Sequence, residues 1–331
     1  MISIVLPVYN AEEHIKNAID SLQRQTLQQY ELIIVDDGSR DHTAQFIRSY
    51  NDKRINVISL EKNRGIVDAL NIGIQNATSA YIARMDADDL CHENRLQQQY
   101  DFLRENEHIG AVSCRVRCET TQHNKGMQEF VTWTNTLLSC EEIYRNRFVE
   151  TPLIHPSMMF RKSLIDKHGG YSHDFPEDYE LWLRWLHHGV RIQKLPEYLF
   201  TWNDPPQRLT RTDPRYHESQ FYACKTHYLA KWLDKKGIGE VVVWGAGKKA
   251  RQYAALLRDY GVNIQGYIDV DAKKIGKTIH QKPVYHYEKD FVQYSDFFVL
   301  SYVGNRGIRD KITAYLEERG LTNGVDFLLM A

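Results

Sequence analysis

Residues 79–89 read Ser-Ala-Tyr-Ile-Ala-Arg-Met-Asp-Ala-Asp-Asp, an apolar run that stops on three carboxylates, Asp86, Asp88 and Asp89. Strands do not ordinarily collect aspartates, because the residue is a poor strand former and like charges repel at close range. A divalent cation held among the three accounts for the cluster. On an extended chain Asp86 and Asp88 point the same way, and Arg84 shares their face, placed to neutralise them or to meet a phosphate. Hard carboxylate oxygens suit Mg2+ or Mn2+, ions that commonly share their coordination with a substrate's phosphates. The competing reading makes Asp86–Asp89 a cap for the helix that carries Leu96.

The sequence upstream gives the cluster its context. Residues 2–10, Ile-Ser-Ile-Val-Leu-Pro-Val-Tyr-Asn, read as a strand that reaches Pro7 and turns at Asn10. Ala11, Ile15, Ala18, Ile19 and Leu22 then recur at helical spacing. A second apolar run, Leu32–Val35, stops at Asp36-Asp37-Gly38-Ser39. A helix through Phe46 and Ile47, a strand at 55–60, and a helix over 66–77 opened by Asn63-Arg64-Gly65 complete the approach to strand 80–85. Strands that alternate with helices and are apolar throughout predict an α/β fold with a parallel sheet covered on both faces. Ligands of such sheets lie beyond the carboxyl ends of the strands. The loops 7–10, 36–39 and 86–89 are therefore expected to converge on one crevice, with Asn63 and Gly65 near by.

Taken in order, Pro7-Val-Tyr9-Asn10, Asp36-Asp37-Gly38-Ser39, Asp86-Ala-Asp88-Asp89 and Glu177-Asp178-Tyr-Glu-Leu-Trp182 resemble the motifs of family 2 glycosyltransferases of the GT-A fold. The resemblance covers roughly residues 1–205. It implies the GT-A nucleotide-diphospho-sugar transferase fold, with a mostly parallel sheet. It also implies an inverting, metal-dependent hexosyl- or N-acetylhexosaminyl-transferase that uses a nucleotide-sugar, a UDP-sugar by preference, with Mn2+ or Mg2+ as cofactor. By the same resemblance Asp37 accepts the ring N–H of uracil, Asp88 is the main metal ligand on the diphosphate, Asp86 supports metal or sugar, and Asp178 is the catalytic base. Pro7, Tyr9, Asn10, Asp36, Asn63, Arg84, His155 and Glu177 complete the nucleotide-sugar set. The acceptor implied is a hydroxyl of a cell-surface glycan or lipid-linked glycan, in bacterial polysaccharide or lipopolysaccharide assembly.

The chemistry asks for the same parts. Negative charge develops on the departing diphosphate, and a cation at Asp88 stabilises it. The attacking hydroxyl must lose a proton, which one carboxylate takes as general base. A glycosidase would instead place two carboxyl groups about the bond and would need no nucleotide crevice. A nucleotidyltransferase would show a glycine- and lysine-rich loop after the first strand, where this chain has Glu12 and Glu13.

Each motif also has an ordinary reading. Asp36-Asp37-Gly38-Ser39 is a plausible strand-to-helix turn. Glu177-Asp178 follow Pro176 in a first helical turn, where the macrodipole favours acids. His155-Pro156-Ser157 leads into Met158-Met159-Phe160-Arg161, either beneath the donor sugar or as a strand entry with His155 bonded in the core. Arg208 and Arg211, after Asp204-Pro205-Pro206, read either as a flap over the diphosphate or as a solvated basic loop. The joint occurrence, in order and on strand ends, favours the functional reading.

The 331 residues suggest two domains. Formal net charge is −1 with 26% charged residues, which excludes the basic excess of a nucleic-acid binder. Five cysteines without a paired Cys-x-x-Cys fit free thiols in a reducing cytosol. No signal peptide is read at Met1, and no apolar run reaches the ~18 residues of a membrane span. Cytoplasmic placement is expected. Segment 206–238 reads as a helical connector, aromatic on one side and basic on another. That allows either interdomain packing or peripheral contact with the inner face of the cytoplasmic membrane.

Residues 239–331 begin a second α/β unit, similar to the small Rossmann-like domains appended to bacterial sugar-modifying enzymes. Val241–Trp244 is a strand, and Gly245-Ala-Gly247-Lys-Lys-Ala250 matches the Gly-x-Gly-x-x-Ala turn. Asp269 lies near the expected spacing beyond it. Gly245, Gly247 and Asp269 thus outline a second nucleotide site, the alternative being that the glycines only allow close strand–helix packing. On that alternative function the chain is a nucleotide-binding sensor or oxidoreductase acting through this unit. Assembly, including pairing with another copy of the chain, is the other role expected of it. The unit is expected to fold on its own, so that a chain ending near residue 237 keeps activity.

Overall fold

The computed structural model describes residues 1–120, 124–204 and 208–331. The 205/206 boundary and the Pro205-Pro206 part of the loop before Arg208 lie outside the described residues. The chain divides into two compact units, Met1–Ile143 with Pro152–Tyr216, and Tyr144–Thr151 with His217–Ala331.

The first unit is built on β1 (Ile2–Val8), β2 (Tyr30–Asp36), β3 (Ile55–Ser59), β4 (Tyr81–Arg84), β5 (Leu90–Cys91), β6 (Ala111–Thr120), β7 (Met159–Arg161) and β8 (Ile192–Asp204). Their order in the sheet is β3-β2-β1-β4-β7-β6-β8-β5. β3, β2, β1 and β4 run parallel, as their continuous apolar sequences require. β7 runs antiparallel to both β4 and β6, while β6 and β8 are parallel. This arrangement places the site. The carboxyl ends of β1, β2, β4, β6 and β8 share one edge of the sheet, and the amino end of β7 joins them. Asp36, the segment after Arg84, the His155–Ser157 turn and Asn203-Asp204 therefore meet at that edge, although 168 positions separate Asp36 from Asp204.

Arg95 secures the junction between the parallel and antiparallel parts. It is fully buried; its Nη2 donates to the carbonyls of Arg84 (2.9 Å) and Met158 (3.2 Å), and its guanidinium lies over Phe200 at 4.8 Å. Gln99, one turn on, donates to the carbonyl of Ser157 at 2.8 Å. These bonds tie the backbone of β4 to the turn before β7.

The second unit has β9 (Glu240–Trp244), β10 (Asn263–Asp269), β11 (Thr278–Ile279), β12 (Lys282–His286), β13 (Phe298–Ser301) and β14 (Phe327–Leu329), ordered β11-β12-β10-β9-β13-β14. All neighbours are parallel except β11 and β12. Helix Glu218–Lys235 belongs to this unit, and buries Cys224, Tyr228, Leu229, Trp232 and Leu233. The apolar side that the sequence offered to a membrane surface is thus used in packing. No helix among the described residues is long and apolar enough to cross a membrane.

Besides the residues 239–331 expected of it, the second unit takes in segment 144–151 and helix Glu218–Lys235. The ammonium of buried Lys225 donates to the carbonyls of Val149 (2.7 Å) and Met330 (3.2 Å), and Trp232 packs on Phe298 with ring centroids 5.5 Å apart. A chain ending at residue 237 loses Met330 and Phe298 and strands the Lys225 charge. The expected cost is at least about 2 kcal/mol for a buried ionised donor, a fall in Tm of roughly 4–8 °C by calorimetry. An unchanged Tm would support the two-module reading.

Candidate active site

The first loop pair is closed by short polar side chains. Asn10 takes a left-handed backbone (φ +49°), which asparagine tolerates. Its Oδ1 accepts the N–H of Arg40 at 2.9 Å, and its own N–H donates to Ser39 Oγ at 3.0 Å. Pro7 is buried in β1, while Tyr9 and Asn63 stand exposed. Asp36 is buried, and its Oδ1 accepts the N–H of Ser39 at 3.0 Å, an ordinary turn bond. Asp37 reaches across to the next loop. Its Oδ1 and Oδ2 accept the N–H groups of Arg64 (2.7 Å) and Gly65 (2.8 Å). Gly38 (φ +74°) lets the chain pass there, since a Cβ would lie 2.7 Å from the carbonyl carbon of Lys62. Each Asp37 oxygen keeps a second lone-pair direction.

The acidic cluster forms by a route the sequence did not suggest. β4 ends at Arg84, and Asp86–Asp89 lie in a turn rather than on an extended strand. Curling of the chain, not strand alternation, brings one oxygen from each of Asp86, Asp88 and Asp89 within 4.8 Å of the others. Buried Arg84 donates through Nη1 to Asp86 Oδ1, and its buried Nε has no hydrogen-bond partner. Asp89 Oδ1 accepts the N–H of Asn203 at 2.9 Å, and Asn203 Nδ2 donates to the carbonyl of Asp88. Buried Asp89 Oδ2 is left without a partner.

Burial, then the neighbouring Asp86, pushes the Asp88 carboxyl up to about 6, with Arg208 opposing. Burial and the two neighbouring carboxylates push Asp89 well up. Three crowded carboxylates, one with an orphaned oxygen, make a hard-oxygen donor set short of positive charge, and such a set fits a divalent cation of the Mg2+ or Mn2+ type.

Beyond it lies a second group of acids. Glu177 and Asp178 open the helix Glu177–His187, whose Trp182 and Trp185 are fully buried. Asp178 Oδ1 accepts the N–H of Tyr179 at 2.7 Å, and burial raises its carboxyl above the ordinary range while Arg84 and Arg208 pull it back. Glu177 is pushed up to about 7 by burial and then by Asp178. His155 Nε2 pairs with Tyr171 Oη at 2.7 Å, and the ring stands edge-on to Trp182. Burial, then the Arg84 charge, holds its pKa far below the usual value, so the ring is neutral at pH 7. The charge of Arg84 thus acts on the acidic turn, on His155 and on Asp178 together.

Arg208 and Arg211 both engage Asp204, Arg211 while remaining exposed. Arg211 Nη2 holds both carboxylate oxygens of buried Asp204 at 2.7 Å. Arg208 lies 3.6 Å from Asp204 and 4.0 Å over the ring of Trp202. Tyr171, Asn203 and Tyr216 escaped the sequence reading because nothing local marks them; they reach the site only through the fold.

In the second unit Gly245 (φ +114°) turns the chain after β9. Asp269 Oδ2 accepts the N–H of Ala246 (3.0 Å) and Lys274 Nζ (3.0 Å), and its Oδ1 accepts the N–H groups of Val270 and Asp271 (2.8 and 2.9 Å). Four donors from the protein occupy this carboxylate. No side chain comes within 4 Å of a Cβ built on Gly247.

A protein-family model described as Glycosyl transferase family 2 matches residues 3–169. Among curated proteins, the amylovoran biosynthesis glycosyltransferase AmsE of Erwinia amylovora is 31% identical over 204 residues, 60% of this chain and 74% of that protein. The O-antigen biosynthesis glycosyltransferase WbnJ of Escherichia coli is 28% identical over 244 residues, 72% of this chain and 91% of that one. Among solved structures, S. aureus TarS 1-349 in complex with UDP-GlcNAc aligns with TM-score 0.55 at 18% identity, over 78% of this chain and 71% of that chain. The mannosyltransferase PcManGT from Pyrobaculum calidifontis, in complex with GDP-Man and Mn2+, aligns with TM-score 0.52 at 19% identity, over 78% and 68%. At these identities the structural likeness speaks for the fold, which is GT-A.

Proposed function

The chain belongs to glycosyltransferase family 2, and from that premise we propose an inverting, metal-dependent transfer of a hexosyl or N-acetylhexosaminyl group. The donor is a UDP-sugar and the acceptor a hydroxyl of a cell-surface glycan or lipid-linked glycan. The observation that carries the reading is the meeting of Asp86, Asp88 and Asp89 within 4.8 Å at the sheet edge where the Asp37 loop also ends.

Asp88 and Asp86 would hold Mn2+ or Mg2+, which supplies charge stabilisation for the departing diphosphate. Arg84, buried and with an unpartnered Nε, adds fixed positive charge beside it, which costs no reorganisation during reaction. Asp37 is assigned to the base and accepts the uracil N–H with the lone pairs left by Arg64 and Gly65. Asp178 takes the proton of the acceptor hydroxyl; burial raises its basicity towards that task. The roles of Pro7, Tyr9, Asn10, Asp36, Asn63, His155 and Glu177 are to shape and hold the donor crevice. The relatives' printed activities, amylovoran and O-antigen biosynthesis, support a surface-glycan acceptor.

The test is a panel of UDP-GlcNAc, UDP-Glc, UDP-Gal and GDP-Man, read as nucleoside diphosphate release with Mn2+ and with chelator. Turnover of a UDP-sugar that chelator silences is expected; release from none of the four would reject the proposal. NMR of the product should show an inverted anomeric centre, and retention would remove the single-displacement mechanism. Asp37→Ala should weaken UDP binding by about 1–3 kcal/mol, the cost of one lost buried polar contact. Calorimetry giving unchanged affinity at unchanged Tm, or a preference for GDP or CDP, would reject the base assignment.

For the second unit we propose assembly with another copy of the chain rather than nucleotide sensing, because Asp269 is already occupied by four protein donors. Light scattering should give an oligomer. Saturable binding of NAD, NADP, UDP or CoA abolished by Gly247→Asp would reverse the preference.

A further inference from the structure

Within the connector's first residues, beyond Arg208 and Arg211, Tyr216 carries no motif in the sequence, yet it touches an acid of the site. Pro214–Tyr216 form a tight 3-10 turn that Asp213 builds. Asp213 Oδ1 accepts the N–H of Arg215 at 2.9 Å, its Oδ2 holds Arg215 Nη2 at 2.7 Å, and its carbonyl accepts the N–H of Tyr216 at 3.1 Å. The turn aims the half-buried Tyr216 ring, and its hydroxyl donates to Glu177 Oε2 at 2.6 Å. When Glu177 is ionised, such a bond from phenol to carboxylate is charge-assisted and stronger than a neutral one.

Glu177 and Asp178 are consecutive residues in the first turn of one helix. After burial, Asp178 pushes the Glu177 carboxyl up, and the Tyr216 bond acts against that push. Among the described residues, the Asp178 carboxyl accepts from backbone N–H groups, that of Tyr179 at 2.7 Å and its own. Of two adjacent acids able to take a proton, one is therefore engaged by a hydroxyl and the other is not.

We propose that Tyr216 is a positioning residue for sugar transfer: its hydroxyl holds the Glu177 carboxylate, which leaves Asp178 as the member of the pair open to the acceptor hydroxyl. The inference rests on the base role proposed for Asp178. It assigns Tyr216 no contact with donor or acceptor, and it predicts an effect on turnover without an effect on donor binding.

The experiment uses the full chain with Mn2+ and whichever sugar nucleotide of the four-member panel is turned over fastest. Tyr216→Phe removes one oxygen and should lower kcat about 10-fold, the scale of one charge-assisted hydrogen bond. KM for the donor and the Kd for UDP should stay within about twofold, and the double variant Tyr216→Phe/Glu177→Gln should be no slower than the slower single, because both act through one bond. Effects that multiply in the double variant, a wild-type kcat in Tyr216→Phe, or a rise in KM that accounts for the whole loss would each overturn the proposal. Should Tyr216→Phe fail to fold, Glu177→Gln decides by the split between constants: a wild-type kcat, or a loss carried wholly by the donor KM as a crevice residue would give, overturns it. The underlying reading fails separately: Asp178→Asn at wild-type rate removes the base, and this inference with it. A slow Asp178→Asn beside a fast Tyr216→Phe removes only the inference.

Discussion

Asp178→Asn is expected to bind UDP as the parent chain does and to turn over at least about 100-fold more slowly, the usual scale of a lost general base. Asparagine keeps the size of the residue and an oxygen for the Tyr179 N–H at 2.7 Å, so the start of the helix is preserved. What it lacks is a lone pair basic enough to take a hydroxyl proton. The competing account gives Asp178 the ordinary task of an acid at a helix N-terminus, a stabilisation of about 0.3–1 kcal/mol. The two accounts separate cleanly: a purely structural acid predicts a small loss of Tm with kcat unchanged, whereas the base predicts the reverse.

Asp88→Ala should abolish transfer, with a loss of at least about 1,000-fold if the bound ion contributes the several kcal/mol typical of transition-state charge stabilisation. Stability should move the other way. Asp88 is raised by burial and then by Asp86, and Asp89 by burial and then by Asp88 and Asp86, so removing the Asp88 carboxylate relieves repulsion in the metal-free chain. Tm without added ion should hold steady or rise, and Mn2+ should raise the parent's Tm but not the variant's. Full turnover of Asp88→Ala, or of the parent in excess chelator, would end the metal role. A site that costs stability when empty and is needed for turnover is the expected signature of a functional cluster.

The parts of the fold legible in the sequence were those written in local periodicity. β1, β2 and β4 are short apolar runs, each broken by turn residues, and their alternation with helices implied the parallel half of the sheet. The direction of β7 and the existence of β8 were not legible, because Met159–Arg161 is too short to fix direction and the polar-interrupted Ile192–Asp204 carries no clear strand pattern. β11 and β12 were missed for the same reason, being short and polar at Thr278–Ile279 and Lys282–His286. At the site, the residue types and order of Asp37, Asp86, Asp88 and Asp178 could be read, but the geometry could not. Asp86 and Asp88 meet through a turn. Tyr216 reaches Glu177 across 39 positions, and Lys225 reaches Val149 across 76. Such contacts depend on the packing of the whole chain, and no window of sequence contains both partners.

The central claim is that the acidic turn and the Asp37 loop form one site for a nucleoside diphosphate bridged by a cation. Calorimetric titration of UDP into the full chain tests it most directly. The account predicts saturable binding in Mn2+, weakened at least about 10-fold both by chelator and by Asp88→Ala, the factor that corresponds to 1.4 kcal/mol of lost interaction. UDP that fails to bind in Mn2+, or that binds Asp88→Ala and the parent chain alike, would contradict it.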